Sequence, residues 1–129
     1  MIKVFISYTF RDKQITENIL KQLYSSLAKI SYIEFYIDIL HNDNNINPQE
    51  EVIDRLTSSD SVWVIRTDGI IESPWVMEEI SLASKNNIPI FYIELSTIYE
   101  IINENSICSI NEKVKNIIYK NGFNTPQLC

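Results

Sequence analysis

The chain has 129 residues, 45% hydrophobic and 22% charged, with seventeen acidic against eleven basic side chains and a formal charge of −6. That length gives room for one core and excludes a multidomain machine, and the composition excludes a disordered or fibrous chain. The acidic balance disfavours phosphate backbones and anionic lipid, so neither nucleic acid nor a membrane surface is an expected partner.

Two cysteines, Cys108 and Cys129, and one histidine, His41, spell neither a zinc site nor a disulfide framework. No metal and no resident cofactor are expected. MIKVFISY at the start of the chain lacks the pattern of a secretory signal, and no apolar run approaches the roughly 18 residues of a membrane span. A reducing cytoplasm is the expected compartment.

Ile2 to Ser7 reads as the first strand and Ile33 to Asp38 as the second. Between them Ile15, Ile19, Leu20, Leu23 and Leu27 recur mostly three and four apart, one face of a helix, which completes a βαβ unit. Asn47, Pro48 and Glu50 spell an N-cap, a first-turn proline and a capping glutamate, with Val52, Ile53 and Leu56 as the apolar stripe that follows. Ser61 to Ile65 is apolar after its serine, as a strand covered on both faces requires, and such strands belong to parallel sheets. Ser73 and Pro74 open a helix to about Asn87, and Ile88 to Leu95 reads as the fourth strand. A short helix at Thr97 to Glu104, a short edge strand at Ile107 to Ile110, and a last helix from Asn111 with Val114, Ile117 and Ile118 inward and Gly122 as C-cap complete the expectation. The fold class is therefore α/β: one domain over 1–129, a flavodoxin-like three-layer sandwich with a parallel sheet of four to five strands in the order 2-1-3-4-5.

In that order ligands bind beyond the carboxyl ends of the strands, where the order reverses between the first and third. Two segments are selected: Ser7 to Asp12 after the first strand, and Arg66 to about Glu79 after the third. The first carries Ser7, Tyr8, Phe10, Arg11 and Asp12; the second carries Asp68, Ser73, Trp75, Glu78 and Glu79. Trp75 and Glu79 are four apart and share a helical face, whereas Val76, Ile80 and Ala83 form the stripe suited to the core and Glu78 is rotated toward solvent.

FISYTFRD at Phe5 to Asp12 resembles the first box of the Toll/interleukin-1 receptor (TIR) domains, an apolar strand ending in Ser-Tyr with an aspartate shortly after. SPWVMEEI at Ser73 to Ile80 resembles that family's Ser-x-Trp-x-x-x-Glu-hydrophobic box, and FYID at Phe35 to Asp38 and LTSSDSVWVI at Leu56 to Ile65 follow in family order. The resemblance covers about residues 1–95 and is to the bacterial stand-alone type. It departs in having no glycine in the loop Ile39 to Asn47 and in Val76, where animal members often have cysteine.

The resemblance implies cleavage of NAD at the nicotinamide N-glycosidic bond, by hydrolysis or cyclisation, with Glu79 catalytic. Substrate contacts are then expected from Ser7, Tyr8, Phe10, Arg11, Asp38 and Trp75, a stacking ring from Trp75 or Phe10 and a phosphate contact from Arg11. It also implies self-association through the loop 39–47. Small members of this type resemble the sensors of Thoeris-type anti-phage defence, which make an ADP-ribose-type messenger for an effector partner. The other activities it allows are a silent signalling scaffold and a nucleoside deoxyribosyltransferase-like transferase.

Each singled-out residue has a plainer structural reading beside the functional one. On that reading Trp75 and Phe10 are packing residues, Glu79 is a solvated helix charge, and Arg11 and Asp12 are a loop ion pair with Asp12 capping the first helix. Asp38 would simply end its strand, His41 would be an exposed imidazole, and Cys108 a small core residue.

Overall fold

The computed structural model of the protein describes residues 1–119. Four strands, β1 (Ile2–Ser7), β2 (Ile33–Ile37), β3 (Ser61–Arg66) and β4 (Ile90–Glu94), form one sheet in the order β2-β1-β3-β4. All three pairings are parallel. The connecting helices are α1 (Glu17–Leu27), α2 (Asp38–His41), α3 (Pro48–Thr57), α4 (Pro74–Lys85), α5 (Leu95–Asn103) and α6 (Ile107–Tyr119), with a 3-10 turn at Ile70–Glu72. No helix among the described residues is long and apolar enough to cross a membrane.

Strand side chains alternate between two faces, and the sheet uses both. Val4, Ile6, Ile33, Phe35, Ile37, Trp63 and Ile65 pack with α1, α5 and α6 in one cluster. Phe5, Tyr36, Val62 and Val64 pack with Val52 and Leu56 of α3 and Val76 and Ala83 of α4 in the other. This is a three-layer α/β arrangement of flavodoxin-like type, and β1 at the reversal of order is flanked on both sides.

The helix starts follow local chemistry. Asn47 Oδ1 accepts from the Glu50 N–H at 3.2 Å, and its amide donates to Glu50 Oε2 at 3.0 Å, a reciprocal cap ahead of Pro48. Thr16, not Asp12, caps α1, accepting from the Ile19 N–H at 3.2 Å. At the other end of α4, Asn87 takes φ 57, a left-handed stop that asparagine tolerates, and the Ile88 N–H closes onto the Ala83 carbonyl at 2.9 Å. Ile53, expected in the apolar stripe of α3, is 40% exposed while Val52 and Leu56 are buried.

Two expectations are corrected. Ile107 to Ile110 is not an edge strand but the first turn of α6, and no fifth strand occurs among the described residues. The reason is the four-residue spacing of the buried Ile110, Val114 and Ile118, together with Ser106, whose carbonyl accepts from the Ile110 N–H at 3.0 Å. Cys108, on that same turn, is exposed and not a core residue. Gly122 and Cys129 lie outside the described residues.

Candidate functional site

β1 ends at Ser7 and β3 at Arg66, and both loops open at the same edge of the sheet. The two loops are stitched together. Asp12 Oδ2 accepts from the Gly69 N–H at 2.6 Å and Asp12 Oδ1 from the Gln14 N–H at 3.2 Å, while Gln14 Oε1 accepts from the Asp68 N–H at 2.7 Å. Desolvation pushes the Asp12 carboxyl up, and the hydrogen bonds of this cluster, those from Gly69 and Gln14 among them, outweigh it and leave Asp12 below the usual carboxylate range. Asp12 thus fixes the loop that leads into α4 and pairs with no arginine.

Pro74 presets the first turn of α4, and Ser73 caps it, its Oγ accepting from the Val76 N–H at 3.4 Å. The buried Val76 and Ala83 anchor the helix against the sheet. That rotation carries Glu79 inward, where it is only 6% exposed, and leaves Glu78 outside. The Ser7 hydroxyl donates to Glu79 Oε1 at 2.7 Å.

Burial is the largest influence on Glu79 and pushes its carboxyl up to about 7; Asp38 adds to the rise, and hydrogen bonding from Ser7 and Trp75 opposes it. A carboxylate at that value is half ionised near neutrality. It can hold a proton or stabilise a positive charge within one narrow pH interval.

Glu79 forms the floor of a cleft of about 240 Å³, whose walls are Tyr8, Thr9 and Phe10 from the loop after β1, Asp38 at the start of α2, and Trp75. Tyr8 and Phe10 hold their rings 5.1 Å apart. The Tyr8 hydroxyl accepts from the Ile39 N–H at 3.2 Å, which ties the first loop to the second. Burial raises the Tyr8 hydroxyl well above its usual range, so it stays neutral. Asp38 accepts from the Asn42 amide at 2.9 Å and lines the cleft with Trp75.

Of the residues expected at the site, Tyr8, Phe10, Asp38, Trp75 and Glu79 meet in this one cleft. Phe10 is 40% exposed and Trp75 36%, so neither is absorbed into the core. Ser7 is fully buried behind Glu79 and reaches the cleft only through it. Arg11 is exposed and outside the lining.

His41 is not an exposed imidazole. It closes α2, its Nδ1 accepts from the Ile37 N–H at 2.9 Å, and its ring stands edge-on to Tyr24 at 4.4 Å. Burial and the nearby Arg55 hold it below the usual histidine range.

Thr9 and Ser73 also line the cleft. Ser73 is expected from the sequence in the crevice segment and as a cap but not as a substrate contact, and Thr9 lies in the selected segment Ser7 to Asp12 without being singled out. Among the described residues no group of three or more His, Cys, Asp or Glu side chains is placed to hold a metal ion. Among known proteins, no family model matches the chain and no curated protein is similar to it.

Proposed function

We propose that the chain is an NAD-cleaving enzyme that breaks the nicotinamide N-glycosidic bond, with Glu79 as its catalytic carboxylate. The observation that carries this reading is the Glu79 side chain itself: a buried carboxyl, held at 2.7 Å by Ser7, at the floor of a cleft walled by three aromatic rings and a second carboxylate. Nicotinamide leaves as a neutral base. The pair of electrons in the C–N bond returns to the pyridinium ring, so no general acid is required and one carboxylate suffices, in contrast to the paired carboxylates of glycosidases. What must be stabilised is the positive charge left on the ribose, and an ionised Glu79 in a desolvated setting supplies that. A water or an intramolecular nucleophile then closes the reaction as hydrolysis or cyclisation. Trp75 and Phe10 offer flat surfaces for the leaving ring.

The similarity of the Phe5 to Asp12 and Ser73 to Ile80 segments to the TIR boxes supports the same chemistry, and with it a nucleotide messenger read by an effector. Self-association is part of this reading. Ile46, on the loop following α2, is 97% exposed, an aliphatic side chain presented to solvent a few residues from Asp38 in the cleft wall. A second copy covering that loop would order the wall that Asp38 begins.

The test is chromatography of purified protein incubated with NAD at high protein concentration, wild type beside Glu79→Gln. Release of free nicotinamide by the first and not the second is the expected result, and equal release by both refutes the assignment.

A further inference from the structure

The cleft above Glu79 is too small for a dinucleotide. Its volume of about 240 Å³ falls below the roughly 300–1,000 Å³ of sites that enclose ligands of that size. A second cavity of about 250 Å³ adjoins it, in the groove between α3 and α4, and the two share Trp75 and Glu79.

This groove is built by two facing helical stripes. Gln49, Val52 and Ile53 line it from α3, and Trp75, Leu82 and Lys85 from α4. Its walls are apolar, with Ile53 40% exposed, apart from Gln49, Ser81 and the carboxylates of Glu78 and Glu79 toward the start of α4. Lys85 is the one cation among the residues lining either cavity. From Glu79 to Lys85 the helix rises about 9 Å, a span that fits a ribose and the start of a phosphate chain. Arg11, by contrast, lies outside both linings.

We propose that the α3–α4 groove is the second half of the substrate site, taking the phosphate-bearing adenylate half of a dinucleotide, with Lys85 as its phosphate partner. The ring lies between Ile53, Val52 and Leu82, Gln49 meets a polar edge of the base, and Trp75 separates the two halves. This rests on the NAD-cleaving reading for the reacting half but concerns binding alone, so the two can fail separately.

The experiment is calorimetric titration with ADP-ribose and with adenosine, using wild type, Lys85→Ala, Lys85→Arg, Ser81→Trp and Arg11→Ala. Ser81 is exposed and lines the groove, so a tryptophan there fills it without entering the core. Ser81→Trp is expected to weaken both ligands at least tenfold. Lys85→Ala is expected to weaken ADP-ribose about three- to tenfold, the scale of a solvent-exposed charge contact, and to leave adenosine unchanged, with Lys85→Arg close to wild type. Wild-type affinity in Ser81→Trp, or loss of ADP-ribose binding in Arg11→Ala but not Lys85→Ala, overturns the proposal. So does a wild type that binds neither ligand. A wild type that binds ADP-ribose through Lys85 yet releases no nicotinamide from NAD upholds the groove and refutes the catalytic reading instead.

Discussion

Glu79→Gln tests the site through stability as well as through activity. A carboxyl raised from 4.5 to about 7 by burial is more easily protonated in the folded chain than in the unfolded one. The folded state therefore holds the extra proton between these values, and stability falls as pH rises through the interval. Protonated Glu79 costs the fold little; ionised Glu79 carries its full desolvation penalty.

Integrating the linkage relation over that shift gives a loss of about 2–3 kcal/mol between roughly pH 5 and pH 8. Glutamine does not titrate. Its carbonyl still accepts from Ser7, and its amide adds a cost of about 1–3 kcal/mol if left unpaired, but that cost is the same at every pH. The quantity to measure is the difference in unfolding free energy between Glu79→Gln and wild type at the two pH values, by urea denaturation. The variant should gain about 2–3 kcal/mol on wild type as pH rises across that interval, while nicotinamide release is abolished throughout. A difference that stays constant with pH refutes the picture of a buried, titrating carboxyl and removes the reason for placing the chemistry there. In wild type the same titration should appear as a rise of kcat/KM with pH, centred near neutrality.

Ser7→Ala removes the hydrogen bond that favours the ionised form, so the rising limb of the pH profile should move up by about one unit; an unmoved limb would mean that Ser7 is merely packed. Glu78→Gln, exposed on the α3–α4 groove but outside the cleft that holds Glu79, should leave nicotinamide release at saturating NAD within about twofold of wild type. Ile46→Asp should flatten the dependence of specific activity on protein concentration, whereas a wild type already flat over a wide dilution series and monomeric throughout would exclude self-association. Gly69→Ala would bring a Cβ to 3.0 Å from Asp12 Oδ2 and 3.2 Å from its Cβ, and should cost about 1–3 kcal/mol in thermal unfolding. An unchanged melting temperature would show that the stitch between the two loops is slack.

The alternating arrangement of strands and helices was legible because each element carries its own period and its own cap. Asn47, Ser73 and Pro74 fixed two helix starts to the residue, and the apolar runs of β1 and β3 marked strands covered on both faces. The chain beyond Leu95 was less legible for a physical reason. ICSI is four residues long, too short to distinguish a strand from a helical turn by periodicity, and what decides the matter is the packing of Ile110 beneath Val114 and Ile118, which belongs to tertiary structure. Asp12 and Thr16 illustrate the same limit. Both are good caps by residue type, and the one taken up elsewhere, by Gly69 across the crevice, is released from capping α1.

The site was legible as a neighbourhood but not as a set of directions. Fold topology brings the ends of β1 and β3 to one crevice, which places Tyr8, Phe10, Trp75 and Glu79 near one another. Whether each side chain faces solvent, ligand or protein depends on the face it occupies. Ser7 shows how this works. On a strand it shares a face with Phe5, and Phe5 packs against the layer that contains α4. Ser7 therefore had to point at α4 and not outward, and its partner there is the one polar group that α4 turns inward, Glu79. The same strand period predicts that a hydrophobic residue at position 7 would leave the buried Glu79 with Trp75 as its remaining side-chain donor. Position 7 thus holds a small hydroxyl that donates to a desolvated carboxyl and favours its ionised form.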